Sequence, residues 1–556
     1  MILMKGEKEL SFFKRIFSPA KADKTMPGQP KHSIEKKNTS LEIPNRSVES
    51  QNISLENQRD STEDYPYNDE GFYIHVKNRT TNYKVTVVMP VYNAELTVRK
   101  TIDSVINQTI GFENIEFIIV DDRSNDDSRT IILEYSETYP NVIPVFLKEN
   151  TGSPAIPRNL GINLANGKYI IFIDSDDWFS ENGLKLLYET LERTGNDYAI
   201  GKTIQVTDKR MKIVGEYNNC MARDFVDPYS IPHLFHHLGP TARMMKTTFI
   251  KDNNIKFPNM KFAEDKQFFI DVLTKCSTIS TLDDVIYYAN RLKENKSFTT
   301  TTSIFEKTDT NIKVIKYVID KQLPEKIEKM ILNRLYEFDC ITRLFNRKHF
   351  LNSKEKEKYF EKFGEVLETT KNLNYDFTEI FFEPWHKVLV TLFKEERFDD
   401  ITSLINWSLN ESIKNTIVRD GLPYYLLPLN NENQFTRVNM LAYHKSSSKD
   451  TDSLLLRLNV YGDQINEMDS FVIRQRDNEL NQIELPLNKV STHEYEVKIP
   501  YEQIATLTSA SYATFIKYSN YLKLFIKMDT RKIINFDDKT IDFYTTIGDN
   551  FGVNIK

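Results

Sequence analysis

Tyr169-Ile-Ile-Phe-Ile-Asp-Ser-Asp-Asp-Trp-Phe179 is a short apolar run that ends on three acids, Asp174, Asp176 and Asp177. An apolar run without alternation is typical of a strand that is covered on both faces, as in a parallel sheet between helices. In such sheets, ligands bind beyond the carboxyl ends of the strands. Crowded carboxylates suit Mg²⁺ or Mn²⁺ bridging phosphates, but Asp is also common in turns and helix caps. Taken alone, the stretch predicts a metal site and a strand-to-helix turn equally well.

Strands alternate with helices on the N-terminal side of this run. Residues 84–93, 115–122 and 142–147 have the composition of buried strands, and a helix capped by Asn93 is predicted over residues 94–107. This alternation predicts βαβ units, and therefore an α/β fold with a mainly parallel sheet. A Rossmann cofactor fold is disfavoured, because no G-x-G-x-x-G follows the first strand and no G-x-x-x-x-G-K-[ST] occurs in the chain.

Several motifs occur in the order that a known family uses. They are P-V-Y-N at 90–93, V-D-D-x-S at 120–124, P-R-N at 157–159, D-S-D-D at 174–177 and A-E-D at 263–265. Over about residues 83–303 the chain resembles the inverting family-2 glycosyltransferases of GT-A fold. With Pro240-Thr241, Thr247 and Tyr287-Tyr288-Ala289 added, it is similar to wall teichoic acid enzymes that put N-acetylglucosamine on poly(ribitol phosphate).

The resemblance implies a UDP-sugar donor and suggests which residues bind its nucleotide. Asp122, at a strand end, can accept hydrogen bonds from a base or ribose, and by resemblance it binds uridine together with Pro90 and Tyr92. The alternative is that Asp122 caps the following helix. Arg158, in a loop stiffened by two prolines, is predicted to reach a uracil carbonyl or a phosphate, with Asn159 beside it. The alternative for Arg158 is a surface ion pair with a nearby Asp.

The resemblance also gives the three acids separate roles. Asp176, the second Asp of the D-x-D element, is implied to bind Mg²⁺ or Mn²⁺, and the metal would neutralise the leaving UDP diphosphate. Asp174 and Asp177 are predicted to position the diphosphate and the donor sugar. Relatives often place an Arg or His over the diphosphate after the Y-Y-A strand. The corresponding loop here contains no His, and its cations Arg291, Lys293 and Lys296 are the candidates. An ordinary solvated loop is the alternative.

An inverting transfer needs a general base on the face of the sugar opposite the leaving group. Asp265 is predicted to be this base, and Glu264 beside it is predicted to orient the acceptor. The alternative is an acidic helix N-terminus, because Phe268, Phe269 and Val272 follow at helical spacing. The two readings are compatible, since a catalytic acid can also begin a helix.

Three histidines lie close together in the sequence at His233, His236 and His237. Their spacing permits metal binding, but neither a carboxylate nor a Cys stands at a partner spacing. The pattern therefore favours a packed amphipathic helix over a metal site.

Composition predicts a cytoplasmic protein, and the basic N-terminal segment described below predicts contact with the inner face of the cell membrane. The net charge of −6 gives no general attraction to nucleic acid. Cys220, Cys276 and Cys340 are odd in number and far apart, which favours a reducing compartment over a disulfide framework. No apolar stretch approaches the ~20 residues of a membrane span, and the first residues lack the apolar core of a signal peptide.

The sequence predicts four segments. Residues 1–75 are polar and basic, and residues 10–17 within them are predicted to lie on an anionic membrane surface, with a plain flexible tail as the alternative. Residues 76–303 form the GT-A domain and residues 304–425 a helical region that walls the acceptor groove. Residues 426–556 form a β-sandwich. By resemblance to longer relatives, this last module serves contacts in a homo-oligomer or handling of the polymer.

Together these inferences predict a metal-dependent inverting hexosyltransferase. It moves a sugar, N-acetylglucosamine or a related hexose, from a UDP-sugar to a hydroxyl of an anionic cell-wall glycopolymer such as teichoic acid. An alternative in the same class is a transferase of capsule or lipid-linked saccharide synthesis. The alternative of another class is a non-catalytic glycan-binding or scaffold protein that kept the fold. The presence of Asp122, Asp176 and Asp265 argues against it, because a protein without catalysis need not keep all three.

Overall fold

A computed structural model describes residues 65–75, 82–292, 302–430 and 434–556, all of which belong to one compact unit. The predicted membrane-binding segment 10–17 lies outside the described residues, and so does the pair of loop cations Lys293 and Lys296. Both therefore remain predictions. None of the helices in the described ranges has the length and apolar character needed to cross a bilayer.

The N-terminal part of the described chain is an α/β domain. Its strands are β1 Phe72–Ile74, β2 Val85–Val91, β3 Ile115–Asp121, β4 Val142–Leu147, β5 Tyr169–Phe172, β6 Trp178–Phe179, β7 Tyr198–Thr207, β8 Arg210–Val214, β9 Arg223–Val226, β10 Arg243–Lys246 and β11 Ile279–Asn290. Its helices are α1 Val98–Ile106, α2 Ser128–Thr138, α3 Ala155–Leu164, α4 Gly183–Thr194, α5 Glu216–Asn219, α6 Thr247–Asp252 and α7 Glu264–Lys275. The predicted alternation of strands and helices is confirmed in this part.

The strands form one sheet in the order β1-β4-β3-β2-β5-β10-β7-β11-β6, with β8 beside β7 and β9 beside β11. Strands β4, β3, β2 and β5 are parallel, and Val91 of β2 stands opposite Asp121 of β3. Because parallel strands end at the same edge of a sheet, this register puts Tyr92, Asp122 and Asp174 at one edge.

The sheet is mixed outside these four strands, which differs from the mainly parallel sheet predicted. Strand β10 is antiparallel to both β5 and β7, and β1 is antiparallel to β4. Buried apolar runs look alike in either direction, so the sequence pattern did not reveal the orientation of β10. Strand β1 also extends the sheet to the N-terminal side of the expected domain start at residue 76.

Two apolar cores lie on opposite faces of the sheet. Val85, Val87 and Met89 of β2 pack with α1, α2 and α4 on one face. Val88 and Phe172 face the other side, where α3, α6, α7 and the helical region cover them. Both faces of the central strands are therefore buried, which explains why most of their residues are apolar and do not alternate with polar ones.

Two local expectations about helices are wrong. Asn93 does not cap α1: its φ is 49°, its side chain accepts the N–H of Asn125 at 2.8 Å, and Thr97 holds the N-cap position. Arg158 lies in α3 and not in a loop. Pro157 stands in the first turn of α3, where the missing N–H of proline removes no helical hydrogen bond.

The helical region follows the α/β domain. Ser303 and Glu306 make a capping box that fixes its first residue. Its elements are α8 Ile304–Asp320, α9 Glu325–Asn333, a π-helix Arg334–Thr342, α10 Lys348–Asn352, α11 Lys356–Thr369, α12 Pro384–Lys394 and α13 Phe398–Asn410. Helix α12 begins at Pro384, because proline is favoured in the first turn and disrupts a helix interior.

The C-terminal region is rich in β-structure, as predicted. A small sheet contains β12 Thr416–Arg419, β13 Leu422–Leu426 and β14 Phe435–Arg437, and it spans the boundary expected at residues 425 and 426. A larger sheet with an apolar core contains β15 Met440–Lys449, β16 Ser453–Gly462, β17 Met468–Gln475, β18 Gln482–Pro486, β19 Asn488–Lys489, β20 Glu494–Pro500, β21 Ser511–Tyr518, β22 Leu522–Lys527, β23 Lys532–Phe536, β24 Lys539–Thr545 and β25 Phe551–Ile555, and the short α14 Tyr501–Ala505 follows β20.

Polar contacts fix the β-rich region to the α/β domain. Arg474 donates to both carboxylate oxygens of Glu216, at 2.8 and 3.2 Å, and Lys523 donates to the same carboxylate at 2.7 Å. The backbone N–H of Met211 donates to the carbonyl of Asp477 at 2.8 Å. The two regions are therefore joined by ion pairs and by main-chain hydrogen bonds.

Candidate active site

A pocket of about 490 Å³ opens at the carboxyl edge of the sheet. We call the part around Asp122, Asp174, Asp176 and Arg291 the sheet end. The part around His237, Gly239, Glu264 and Asp265 is the α7 end. Of the residues predicted from the sequence, the structure brings nine into the pocket wall: Pro90, Tyr92, Asp122, Arg158, Asp174, Asp176, Glu264, Asp265 and Arg291.

The two acids that follow β3 have different surroundings. Asp121 is fully buried, accepts the N–H of Ser124 and pairs with Arg129 at 2.5 Å. Asp122 lines the pocket and accepts the N–H and the hydroxyl of Thr151 at 2.8 and 3.0 Å. Burial raises the pKa of Asp122. Asp122 does not cap α2, because Asp127 holds the N-cap position of that helix. Asp121 makes the buried structural contacts, and Asp122 faces the cavity.

The three acids after β5 lie close together. Asp174, Asp176 and Asp177 each offer a carboxylate oxygen, and these oxygens lie within 4.8 Å of one another. Burial, followed by repulsion from Asp176 and Asp174, raises the pKa of Asp177 well above its ordinary value. Clustered hard oxygen atoms are the ligands that Mg²⁺ and Mn²⁺ prefer. The donor set therefore fits a divalent cation.

Asp177 is directed toward the sheet and not toward the pocket, which differs from its predicted contact with the sugar. Its two oxygens accept the hydroxyl of Tyr287 at 2.7 Å and the N–H of Asn290 at 2.6 Å. The Tyr287 hydroxyl also accepts the N–H of Asp174 at 3.1 Å. Asp177 therefore connects the end of β5 to the end of β11 and holds the acid cluster in place.

Arg158 connects the two ends of the pocket. It donates to Asp174 at 2.7 Å and to Glu264 at 3.0 Å, and it is almost fully buried. The ion pair that was the alternative for Arg158 is thus present, but in a buried setting and with two acids. Its contact with a nucleotide remains a prediction. Asn159 stands outside the pocket wall, because its side chain bonds the backbone of Phe257 at 2.8 and 2.9 Å.

Arg291 is a pocket cation at the sheet end. Its side chain is 40% exposed, and a guanidinium nitrogen lies 3.9 Å from the carboxylate of Asp177. The same nitrogen donates to the carbonyl of Asn290 at 2.6 Å. Arg291 therefore lies beside the acid cluster in the pocket wall, with part of its side chain exposed.

The acids of the α7 end lie at the start of α7. One oxygen of Asp265 accepts the N–H of Lys266 at 2.8 Å, and within the described part of the chain its carboxylate has no other hydrogen-bond partner. Burial and the charge of Asp265 raise the pKa of Glu264 to about 7. Burial also raises the pKa of Asp265, and the cations Lys266 and Arg158 oppose this rise. Two adjacent carboxyl groups with raised pKa values, one of them near neutrality, suit acid–base chemistry.

A buried ion cluster supports the first turn of α7 from the helical region. The ammonium of Lys266 lies 2.9 Å from Asp339 and donates to Asn311 at 2.8 Å. Arg334 and Arg343 pair with the same carboxylate, each at 2.9 Å. Although burial opposes it, these cations hold the pKa of Asp339 well below its usual range. The position of Asp265 therefore depends on a contact with the π-helix that no motif predicted.

The histidine segment does not form the predicted amphipathic helix. Residues Leu234–His236 make one short 3₁₀ turn. His233 contacts the hydroxyl of Tyr521 in the β-rich region, and His236 contacts Asn333 in the helical region at 2.8 Å. Burial lowers the pKa of His233 to about 4 and that of His236 to about 3. The two rings are therefore neutral packing groups where three regions meet.

Several pocket residues were not identified from the sequence. They come from the end of β7 and from positions next to the P-T and A-E-D motifs, and they include Thr203, Gln205, His237, Gly239, Lys261 and Phe262. The available signal was their closeness in sequence to Pro240 and Ala263. A strand end such as that of β7 carries no acid or glycine motif, so it gave no signal.

Comparisons with known proteins give the chain its family. Residues 86–253 match the family model for glycosyl transferase family 2. Over 208 residues the chain is 35% identical to a poly(ribitol-phosphate) beta-glucosyltransferase of Bacillus spizizenii. The aligned region covers 37% of this chain and only 32% of that protein. Over 226 residues it is 34% identical to the poly(ribitol-phosphate) beta-N-acetylglucosaminyltransferase TarP of Staphylococcus aureus. This aligned region covers 38% of this chain and 67% of TarP.

Solved structures extend the likeness to the whole fold. The crystal structure of S. aureus TarS matches with a TM-score of 0.53 at 18% identity and covers 85% of each chain. A TarS fragment, residues 1–349 in complex with UDP-GlcNAc, matches with a TM-score of 0.52 at 21% identity and covers 64% of this chain and 99% of the fragment. The predicted GT-A domain, helical region and β-rich region are thus confirmed as a fold. Because residues 86–253 match the family model and the chain aligns with two thirds of TarP at 34% identity, the chain belongs to glycosyl transferase family 2.

Proposed function

We propose that this protein is an inverting glycosyltransferase that moves a sugar from a UDP-sugar to a hydroxyl of an anionic cell-wall glycopolymer. The observation that carries the proposal is one pocket that has Asp122 and Asp176 at its sheet end and Asp265 at its α7 end. Support for the acceptor class comes from two relatives that are named for poly(ribitol phosphate). The TarS fragment in complex with UDP-GlcNAc supports the donor class, and we propose N-acetylglucosamine or a related hexose as the sugar.

The sheet end would bind the donor. The carboxylate of Asp122 keeps acceptor capacity beyond its two bonds to Thr151, so it can accept hydrogen bonds from uridine beside Pro90 and Tyr92. Arg291 would donate to the diphosphate. Asp176, with the neighbouring acids, would hold Mg²⁺ or Mn²⁺, which when bound supplies positive charge to the leaving diphosphate.

The α7 end would activate the acceptor. The carboxylate of Asp265 takes the proton of the acceptor hydroxyl while that oxygen forms a bond to the anomeric carbon of the sugar. The bond from this carbon to the diphosphate oxygen breaks, and UDP leaves with the electron pair. Attack from the face opposite UDP inverts the anomeric configuration. Glu264, whose pKa is raised to about 7 by burial and by Asp265, would donate a hydrogen bond to the acceptor while it is protonated.

We further propose that the protein acts in the cytoplasm at the inner face of the membrane. All three cysteines are free, and Cys276 and Cys340 are buried, which suits a reducing compartment. The basic, aromatic segment at residues 10–17 would contact anionic lipid. The β-rich region would serve contacts between copies of the chain.

The test is transfer from a panel of donors to defined acceptors. UDP-N-acetylglucosamine and UDP-glucose are each combined with poly(ribitol phosphate) or a lipid-linked saccharide, with Mg²⁺ or with EDTA. We expect UDP release that needs both the polymer and the metal, with the sugar recovered on the polymer. Transfer to the lipid-linked saccharide alone would favour the alternative acceptor. No UDP release with any pair would favour a non-catalytic glycan-binding protein, and full release in EDTA would contradict the metal requirement.

A further inference from the structure

We propose that the gap between His237 and Asp265, beside Gly239, holds two neighbouring hydroxyls of the acceptor, and that His237 thereby selects a polyol acceptor. Asp265 would take the reacting hydroxyl, and the Nε2 atom of His237 would hold the hydroxyl on the adjacent carbon. The inference rests on the proposed function and goes beyond it, because it names the chemical group that the acceptor must carry.

The geometry of Gly239 defines this gap. A Cβ atom placed on Gly239 would lie 3.8 Å from Nε2 of His237 and 3.9 Å from a carboxylate oxygen of Asp265. Apart from the chain neighbours of Gly239, no other heavy atom of the described residues comes within 4 Å of that point. All three residues line the pocket. The point beside Gly239 is therefore open space that a carboxylate oxygen and an imidazole nitrogen approach.

The imidazole of His237 is held with Nε2 toward this gap. Its Nδ1 atom is buried without a hydrogen-bond partner in the described structure. A Cβ on Gly215 would come within 2.8 Å of Nδ1, so the ring packs directly on the backbone of Gly215, whose φ of 63° also favours glycine. The backbone carbonyl of His237 accepts a hydrogen bond from Arg243. The ring thus has one buried nitrogen and one nitrogen available to a ligand.

The charges around His237 suit a neutral hydroxyl better than a metal or a phosphate. Burial, followed by the charges of Arg243 and Arg334, holds the pKa of His237 well below its ordinary value. The imidazole is therefore neutral at physiological pH and can donate to, or accept from, a hydroxyl. The two nearby cations disfavour a metal ion at Nε2, and Asp265 on the other side of the gap disfavours an anion.

Two partners on opposite sides of one gap match a vicinal diol. Hydroxyls on adjacent carbons are about one hydrogen-bond length apart, so a diol reaches across a wider gap than one hydroxyl can. A ribitol phosphate unit linked through its terminal hydroxyls carries such neighbouring hydroxyls. A glycerol phosphate unit linked in the same way carries a single hydroxyl and leaves His237 unpaired, and an unpaired polar group in a binding site lowers affinity.

The test compares two polymers and four variants of the full chain. Transfer from the active UDP-sugar to poly(ribitol phosphate) and to poly(glycerol phosphate) is measured as kcat/KM. The affinity for UDP with Mg²⁺ is measured by calorimetry. His237→Phe keeps an aromatic ring without a polar atom, and His237→Gln restores an amide near the position of Nε2. Gly239→Ala fills the gap with a methyl at ordinary contact distances. Gly364→Ala in α11 is the matched control, because its Cβ would meet only a ring carbon of Phe393 at 4.0 Å.

We expect the wild type to prefer the ribitol polymer by about tenfold, the worth of one well-placed hydrogen bond. His237→Phe should remove this preference by lowering transfer to the ribitol polymer alone, and His237→Gln should recover part of it. Gly239→Ala should lower transfer to both polymers by more than tenfold, while UDP affinity stays within about twofold. Gly364→Ala should behave like the wild type.

Other outcomes would overturn the inference. Equal losses with both polymers in His237→Phe, or a parallel loss of UDP affinity, would assign His237 to the donor or to folding. An active Gly239→Ala enzyme would show that the gap is not used by the acceptor. A wild type without transfer to either polymer would overturn the proposed function itself, whereas an active wild type with unaltered variants would overturn this inference alone.

Discussion

The two ends of the pocket are built in different ways. At the sheet end, Asp122 and Asp174 follow buried parallel strands, and the register of those strands alone brings them together. At the α7 end, Asp265 depends on Lys266, which is held by Asp339 from a helix far along the chain. The difference teaches that an end made by strand termini can be predicted from short motifs. When packing between distant segments positions the residues, a short motif can identify the residues but not the contacts that hold them.

The largest expected effect separates the two ends directly. Asp265→Asn should lower transfer by about 10²- to 10⁴-fold, because an amide cannot take the acceptor proton. UDP affinity should stay within about twofold of the wild type, since the sheet end is unchanged. Initial transfer rates and UDP calorimetry check both statements. Asp208→Asn, exposed after β7, is the matched control and should change neither. A loss of UDP affinity as large as the loss of rate would remove the distinction between the ends.

The acid cluster gives the next effect. Asp176→Ala should lower transfer by about 10²- to 10³-fold, the usual worth of a group that stabilises developing charge. UDP binding by the variant should no longer depend on Mg²⁺, and calorimetry with Mg²⁺ and with EDTA checks this. Metal-dependent UDP binding that survives in Asp176→Ala would assign the cation to other residues.

Adjacent acids at the sheet end allow a sharper comparison. Asp122→Asn should weaken UDP binding by about 10- to 100-fold, because a hydrogen bond to a charged group is worth about 1.5–3 kcal/mol. Asp121→Asn should instead lower the melting temperature, because it leaves Arg129 buried without its partner. Calorimetry and thermal unfolding of both variants separate the two roles. Similar effects on UDP binding would contradict them.

The smallest effect concerns the proton on Glu264. Burial and the charge of Asp265 raise its pKa from the ordinary value of 4.5 to about 7. A raised pKa contributes stability that is fully present below pH 4.5 and is lost as the pH rises through 7. Glu264→Gln stays neutral throughout, so the wild type should lose stability relative to this variant between about pH 4.5 and pH 7. Urea midpoints at several pH values measure the difference, and parallel curves would contradict the shift.

The fold was largely predictable because its signals are local. Buried apolar runs, such as 142–147, gave the strands, and the acids after them gave Asp122, Asp174 and Asp176 at one edge. The family resemblance placed the base at Asp265, and this role remains a prediction although the residue lines the pocket.

The rest depended on contacts that a linear pattern does not contain. The D-S-D-D motif identifies Asp177, but it does not show that both carboxylate oxygens accept hydrogen bonds, one from Tyr287 and one from Asn290. Arg158 looked like a loop residue because Pro154 and Pro157 precede it, yet Pro157 lies in the first turn of α3, which begins at Ala155. No sequence motif indicated that His237 lines the pocket. The orientation of its ring, with Nε2 toward the gap, depends on its packing against Gly215.

The buried carboxylate of Asp339 has a practical consequence for anyone who wishes to cut or recombine this chain. Its three cations come from α7, from the π-helix and from the residue that follows the π-helix. The apolar core beneath α7 is likewise shared with the helical region. The α/β domain is therefore not expected to fold independently when the chain is cut at residue 303. A minimal enzyme, or a chimera that receives a different C-terminal module, must carry the helical region with it.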